Sequence, residues 1–306
     1  MMMAVRARIV AGALVVGAIV VCGGTNPPRP SPYGQTDTAS PSESAAVALP
    51  SDPPRRTAEV TAPHVFVIVM ENTGLSRALR SASIERLVAT SALATNYRAV
   101  SRPSLPNYLA LTSGSTWGIA DNDYHQLPTA DLGTQLTTAG VTWRAYMEGM
   151  TDAGCLASPY PYALKHNPFA YYGGACPSNV VPFESLDADL AGTTPSFVWI
   201  TPGLCHDGHD CALSVAGEWL DGLVTRIVSS DAWRSRGTLF IVWDEGDGAD
   251  LDLVPLIVLT QERTAVQTET RYDHYSLLAT IEDLFGLPRL GAAATAQPLE
   301  HLLGGR

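Results

Sequence analysis

From His64 onward the chain alternates between short unbroken apolar runs and stretches with apolar residues every three or four positions. The run His64-Val-Phe-Val-Ile-Val-Met70 has no polar interruption inside it, the pattern of a strand covered on both faces. Residues 197–201, 238–243 and 254–260 repeat the pattern, and 143–147 is a weaker instance. Helical spacing lies between these runs, at 83–92, 106–112, 132–139, 217–229 and 275–284. Strands alternating with helices predict an α/β domain with a mainly parallel central sheet and helices on both faces. Such a sheet presents its binding groups at the carboxyl ends of its strands.

The first 63 residues read differently. Arg6 and Arg8 precede an uncharged apolar run at 9–22. That run is short for a membrane span and suits a secretory signal peptide, expected over 1–24. An uncleaved signal anchor is the alternative. Val21 precedes Cys22 where a lipid-modified cysteine follows a small residue, so a lipid anchor is not expected. Residues 25–63 are rich in Pro, Ser, Thr and Ala and carry no periodicity, which predicts a disordered tether. The folded unit is expected over 64–306, outside the cell or at its surface.

Composition narrows the class. The chain has 306 residues, 46% hydrophobic and 16% charged, which suits a sizeable core. Its formal net charge is −11, so it has no electrostatic footprint for nucleic acid. A metal could still supply positive charge locally for an anionic substrate. Beyond Cys22, the four cysteines Cys155, Cys176, Cys205 and Cys211 form an even set. Two disulfides are expected in an exported protein, and three connectivities are open. The shortest loops favour Cys155–Cys176 and Cys205–Cys211. A zinc site is the rival reading, weakened by the lack of a C-x-x-C pair.

The residues after the apolar runs are polar. Glu71-Asn72 follows the first, Asp244-Glu245-Gly-Asp-Gly follows 238–243, and a loop holding His206 and His209 follows 197–201. Taken singly, Glu71-Asn72 could cap a helix and Asp244-Glu245 could be a solvated turn. Brought to one sheet edge, oxygen and imidazole donors make a ligand set for a divalent cation. Ser104 opens a helical pattern just before Pro106. It is either an ordinary cap or a nucleophile among free N–H groups that favour phosphate. No G-x-S-x-G elbow is present, which disfavours an α/β-hydrolase.

The stretches Val-Met-Glu71-Asn72, Ser104-Leu-Pro-Asn107-Tyr, Tyr146-Met-Glu148-Gly, Lys165-His166-Asn-Pro-Phe169, Cys205-His206-Asp-Gly-His209-Asp-Cys, Trp243-Asp244-Glu245-Gly-Asp-Gly and Tyr272-Asp-His274-Tyr-Ser occur in this order. Together they resemble the bacterial phosphoesterase family, which contains phospholipase C-type enzymes and secreted acid phosphatases. The resemblance implies an alkaline phosphatase-like α/β sandwich. It implies that Glu71, Asn72, Asp244 and Glu245 hold a divalent metal ion and that Ser104 forms a phosphoserine intermediate. His166 and His209 would bind phosphoryl oxygens or protonate the leaving group. His206 stands where relatives often carry Asn, so its role is less defined. Phospholipase-type members often read Asp-Asp at Asp244-Glu245, and the departure favours a phosphomonoesterase, including one acting on phosphoinositides. Two readings stay open beside it: a phospholipase C cleaving phospholipid diesters, and a silent surface-binding module. The expected partners are a small phosphomonoester or a phospholipid headgroup, with transient membrane-surface contact and a monomeric chain.

Overall fold

The computed structural model describes residues 63–304 except 249, 251, 263 and 264. The expected signal at 1–24, Cys22 and nearly all of the tether at 25–63 lie outside the described residues. The chain divides into a unit of residues 1–56, entirely outside the described set, and a unit of 57–306, which carries everything below.

Nine strands are described: β1 His64–Met70, β2 Ala92–Arg98, β3 Trp143–Met147, β4 Val180–Pro182, β5 Phe197–Thr201, β6 Gly237–Trp243, β7 Leu253–Thr260, β8 Gln267–Thr268 and β9 Tyr272–Asp273. The helices are α1 Leu75–Ala78, α2 Ala82–Val88, α3 Ser104–Ser113, α4 Leu132–Thr138, α5 Leu186–Ala191, α6 Leu213–Val228, α7 Asp231–Arg234 and α8 His274–Phe285. The strands form one sheet in the order β4-β3-β5-β1-β6-β7-β2-β8, with β9 also paired to β2. Pairings β3–β4, β3–β5, β1–β5 and β1–β6 are parallel. Both faces are covered, because every residue of β6 and Val65–Met70 of β1 are buried regardless of which side they point to.

Two sequence expectations need correction. The helix expected at 83–92 ends at Val88, and its last residue opens β2 instead. Ala92-Leu-Ala reads as helical locally, but the segment takes its conformation from β7, β8 and β9, to which it pairs. The run at 254–260, read as one more strand of a parallel sheet, runs antiparallel to both β6 and β2. Among the described residues no helix crosses over between β6 and β7, and the chain returns into the sheet beside its exit.

Cys155–Cys176 and Cys205–Cys211 are both disulfide-bonded, as the shortest-loop pairing predicts. Two disulfides fit an oxidising compartment. No helix among the described residues is long and apolar enough to cross a membrane.

Candidate active site

Register brings the first two groups together. In the parallel β1–β6 pair, Met70 lies opposite Trp243, so the next residues, Glu71 and Asp244, leave the sheet side by side. Asp244 N–H donates to the Met70 carbonyl at 3.0 Å, prolonging the ladder by one bond. The chain then turns at Asn72, whose φ of +46° is a left-handed value that Asn tolerates better than most residues. In that turn Asn72 N–H donates to Asp244 Oδ1 at 3.1 Å, and its Nδ2 donates to Glu71 Oε2 at 3.1 Å.

Ser104 is the first residue of α3, a helix buried along its whole length. Its hydroxyl donates to Glu71 Oε2 at 3.0 Å. Asn107, one turn on, ties down the approach to it. Its Oδ1 accepts from Val100 N–H and Ser101 N–H, while Nδ2 donates to the Ser101 and Pro103 carbonyls. Asn122 Oδ1 accepts the Leu105 N–H at 3.1 Å, which satisfies one open donor of the first turn.

The loop after β5 closes over this group. Glu71 N–H donates to the Asp207 carbonyl at 2.9 Å. His166 is buried between two carboxylates, with Nε2 3.0 Å from Glu71 Oε1 and Nδ1 3.3 Å from Asp207 Oδ2. Tyr108 of α3 stacks on its ring, 5.2 Å between centroids and 11° from parallel. Burial opposes a charged imidazolium, but Glu71 and Asp207 outweigh it and raise the His166 pKa. The converse holds for Glu71: burial pushes its carboxyl up, yet His166 and then Lys165 hold it down at about 2.

Asp244 has no such cation. Burial first, then the charges of Glu71 and Glu245, push its carboxyl well above the ordinary range. Glu245 is raised by burial and by Glu71, with Arg102 opposing. The Arg102 guanidinium lies 3.8 Å from Glu245 Oε2 and donates to the Gly246 carbonyl. Asp244 Oδ2 and Glu245 Oε2 are buried without a hydrogen-bond partner, beside Glu71, whose Oε1 faces only the His166 ring. Buried oxygens of like charge that lack donors are what a hard divalent cation would satisfy, so the residues fit such an ion. They are not drawn into a closed shell: among the described residues, no three His, Cys, Asp or Glu side chains are gathered around one point.

The remaining histidines are placed differently. The His209 ring lies 6.0 Å from that of His166. Its Nε2 is 3.2 Å from Lys165 Nζ and its Nδ1 is 2.7 Å from Asp210 Oδ1. An ammonium can only donate, so in this arrangement Nε2 accepts and Nδ1–H faces Asp210. His206 turns to Glu148 Oε1 at 2.7 Å and stacks on Trp219. The other Glu148 oxygen accepts from Gly203 N–H, so Glu148 holds the loop after β5 at both points. The structure therefore gathers Glu71, Asn72, Ser104, His166, Asp244 and Glu245, with His209 and Lys165 at their border, and sets His206 apart on Glu148.

Sequence reasoning assigned no role to Asp207, Asn107, Asn122, Tyr108 or His274. His274 donates from Nε2 to the Asp244 carbonyl at 2.7 Å and accepts the Tyr97 hydroxyl at Nδ1, 3.0 Å away. Its signal lay in the Tyr272-Asp-His274-Tyr-Ser stretch, whose aspartate caps α8.

The profile of the phosphoesterase family matches residues 79–288. The chain belongs to the phosphoesterase family. Among its relatives, the phosphate-repressible acid phosphatase of Penicillium chrysogenum is 28% identical over 90% of this chain and 71% of its own length. A phosphatidylinositol-3-phosphatase of Mycobacterium tuberculosis is 29% identical over 79% of this chain and 83% of its own. This phosphoesterase spans less of the Kluyveromyces lactis relative described as a probable acid phosphatase, 59% of its length. In fold it resembles an alkaline phosphatase superfamily protein of Vibrio parahaemolyticus, with a TM-score of 0.53 at 11% identity over 74% of this chain and 67% of that one. A sulfatase of Pseudoalteromonas sp. gives 0.53 at 12% identity over 80% and 72%. The protein is a phosphoric ester hydrolase with an alkaline phosphatase-like fold.

Proposed function

We propose that the protein is a secreted phosphomonoesterase of acid phosphatase type in which Ser104 attacks phosphorus. The observation that carries the reading is the buried Ser104–Glu71 hydrogen bond at the start of α3, beside carboxylate oxygens that lack partners. Glu71 takes the hydroxyl proton as its hydrogen bond, which turns the oxygen lone pairs away from itself. His166 balances the charge of Glu71 and fixes its orientation through Asp207 and the stacked Tyr108. Glu71, Asn72, Asp244 and Glu245 would hold a divalent cation, which would lower the pKa of the attacking hydroxyl and neutralise phosphoryl charge. Attack forms the serine oxygen–phosphorus bond and breaks the ester bond; the hydroxyl proton passes to Glu71, the departing alkoxide takes up a proton, and water then releases phosphate from Ser104 and restores its hydroxyl. Lys165, held by His209 at the border of the site, supplies the proton for the alkoxide and a positive charge for the phosphoryl oxygens.

The names of the relatives favour a monoester over a diester, and the Mycobacterium protein makes a phosphoinositide headgroup a reasonable substrate class. Export is supported by the two disulfides. The test is hydrolysis of p-nitrophenyl phosphate by Ser104→Ala, with bis-p-nitrophenyl phosphate and phosphatidylcholine as comparators. The variant removes one oxygen and opens almost no cavity, so it should fold and lose turnover. A folded variant with wild-type kcat would overturn the serine mechanism.

A further inference from the structure

Among the described residues, a cavity of about 490 Å³ opens where α1, α2 and the start of α6 meet. Arg77, Arg80 and Arg86 line it, against one lining carboxylate, Glu218. The chain as a whole carries 19 basic and 30 acidic residues, so three guanidiniums around one cavity run against its overall charge. The walls are held close. Gly217 of α6 faces the start of α2, and a Cβ there would meet Ser81 Oγ at 2.9 Å. The absent side chain lets the two helices close and brings the hydroxyls of Ser81 and Ser83 to the cavity wall.

Arg80 and Arg86 are weakly engaged. Arg80 donates to the Ser76 carbonyl at 3.1 Å and has no acidic partner among the described residues. Arg86 stands 3.4 Å from Asp221, and both side chains are exposed. Exposed pairs of this kind contribute little, so an incoming anion displaces them at small cost. Guanidinium forks match the oxygens of a phosphate, and serine hydroxyls complete its hydrogen bonds.

We propose that this cavity is a second site, separate from Ser104, that binds a phosphate-bearing anion. Arg77 links it to the catalytic residues. Its guanidinium lies 2.5 Å from Asp247, three residues beyond Asp244, and Asp247 also accepts the Gly74 N–H. An anion drawn to Arg77 competes with Asp247, so occupancy is felt on the loop that carries Asp244 and Glu245. The anion is either free phosphate or a lipid headgroup, and both offer the same chemistry.

Calorimetric titration of inorganic phosphate tests the site, using wild type and the double variant Arg80→Gln/Arg86→Gln. Both substituted side chains are exposed, so the fold should hold, which a melting curve checks. Wild type should bind two phosphates per chain. The double variant should lose one of them, with affinity there down about tenfold or more, and should keep wild-type kcat in phosphate-free buffer. A second arm sediments Ser104→Ala protein, with and without the two arginine substitutions, on phosphatidylcholine vesicles with or without phosphatidic acid. Loss of vesicle binding on arginine substitution identifies a lipid headgroup, and loss in the phosphate arm alone identifies a soluble anion. One phosphate bound by wild type, or unchanged binding by the variants in both arms, overturns the site.

Discussion

Ser104 Oγ and Glu71 Oε2 stand 3.0 Å apart and join the first residue of α3 to the residue that leaves β1. The same carboxylate accepts from Asn72 and faces His166 with its other oxygen. Glu71 therefore orients the hydroxyl, the Asn72 turn and the imidazole at once.

Glu71→Gln keeps the size of the side chain and removes its charge. The Ser104 hydroxyl keeps an acceptor, but the His166 imidazolium is left facing an amide. We expect kcat on p-nitrophenyl phosphate to fall on the order of 10²–10³-fold, as when one fixed electrostatic contact is lost from a reaction centre. A folded variant within threefold of wild type would remove Glu71 from this role.

Asp244→Asn should act in opposite directions on two measurements. Burial and the charges of Glu71 and Glu245 make the Asp244 carboxyl costly to keep in the folded, metal-free protein, and the substitution removes that cost, so stability should rise by about 1–3 kcal/mol. The substitution also removes an anionic donor, so the rise in melting temperature caused by added divalent ions should shrink. Thermal melts with chelator and with metal read both effects. A variant less stable than wild type in chelator would show that these carboxylates do not repel one another.

Tyr97→Phe probes the support beneath Asp244. Burial holds the His274 pKa down at about 4, so the ring is neutral and one tautomer satisfies both of its contacts. Loss of the Tyr97 hydroxyl leaves Nδ1 buried without a donor, at a cost of about 1–2 kcal/mol in denaturant unfolding. Nε2 still holds the Asp244 carbonyl, so kcat should drop by less than about tenfold. A neutral effect on stability would mean that water replaces the tyrosine.

Glu282, late in α8, sets a pH dependence of stability. Burial pushes its carboxyl from 4.5 up to about 8, although it accepts the Leu290 N–H and lies near Arg289. The folded state thus keeps a proton that the unfolded chain has lost. Stability should fall as pH rises from about 4.5 to about 8, and level off above that. Glu282→Gln should flatten this fall and gain about 1–2 kcal/mol near pH 8, below the full linkage value because the Leu290 N–H and Arg289 favour the charged form that the amide replaces. Equal pH slopes for variant and wild type would contradict the assignment.

The strands that end at Glu71, Asp244 and the His206 loop were legible because both of their faces are covered. β1, β5 and β6 need apolar residues at every position, and such runs survive any local ambiguity. β2 was not legible: Ala92-Leu-Ala-Thr-Asn-Tyr-Arg98 carries polar residues and alanines, and only its partners make it a strand. The direction of β7 has no local signal at all. Glu71, Ser104 and Asp244 were found because each follows an apolar run or opens a helix. Asp207 and His274 act through partners 41 and 30 residues away in sequence, His166 and Asp244, and no spacing rule reports such contacts.

The antiparallel return of β7 also places Asp244 and Glu245 at the start of the turn that joins two neighbouring strands. The chain enters and leaves that turn one strand-width apart, about 5 Å, with the ladders of β6 on one side and β7 on the other. Length can therefore be added or the backbone cut beyond Glu245 without unzipping either strand. A segment grafted into this turn would lie over Glu71 and Ser104 while Asp244 stays held by β6, the Met70 carbonyl and the Asn72 N–H.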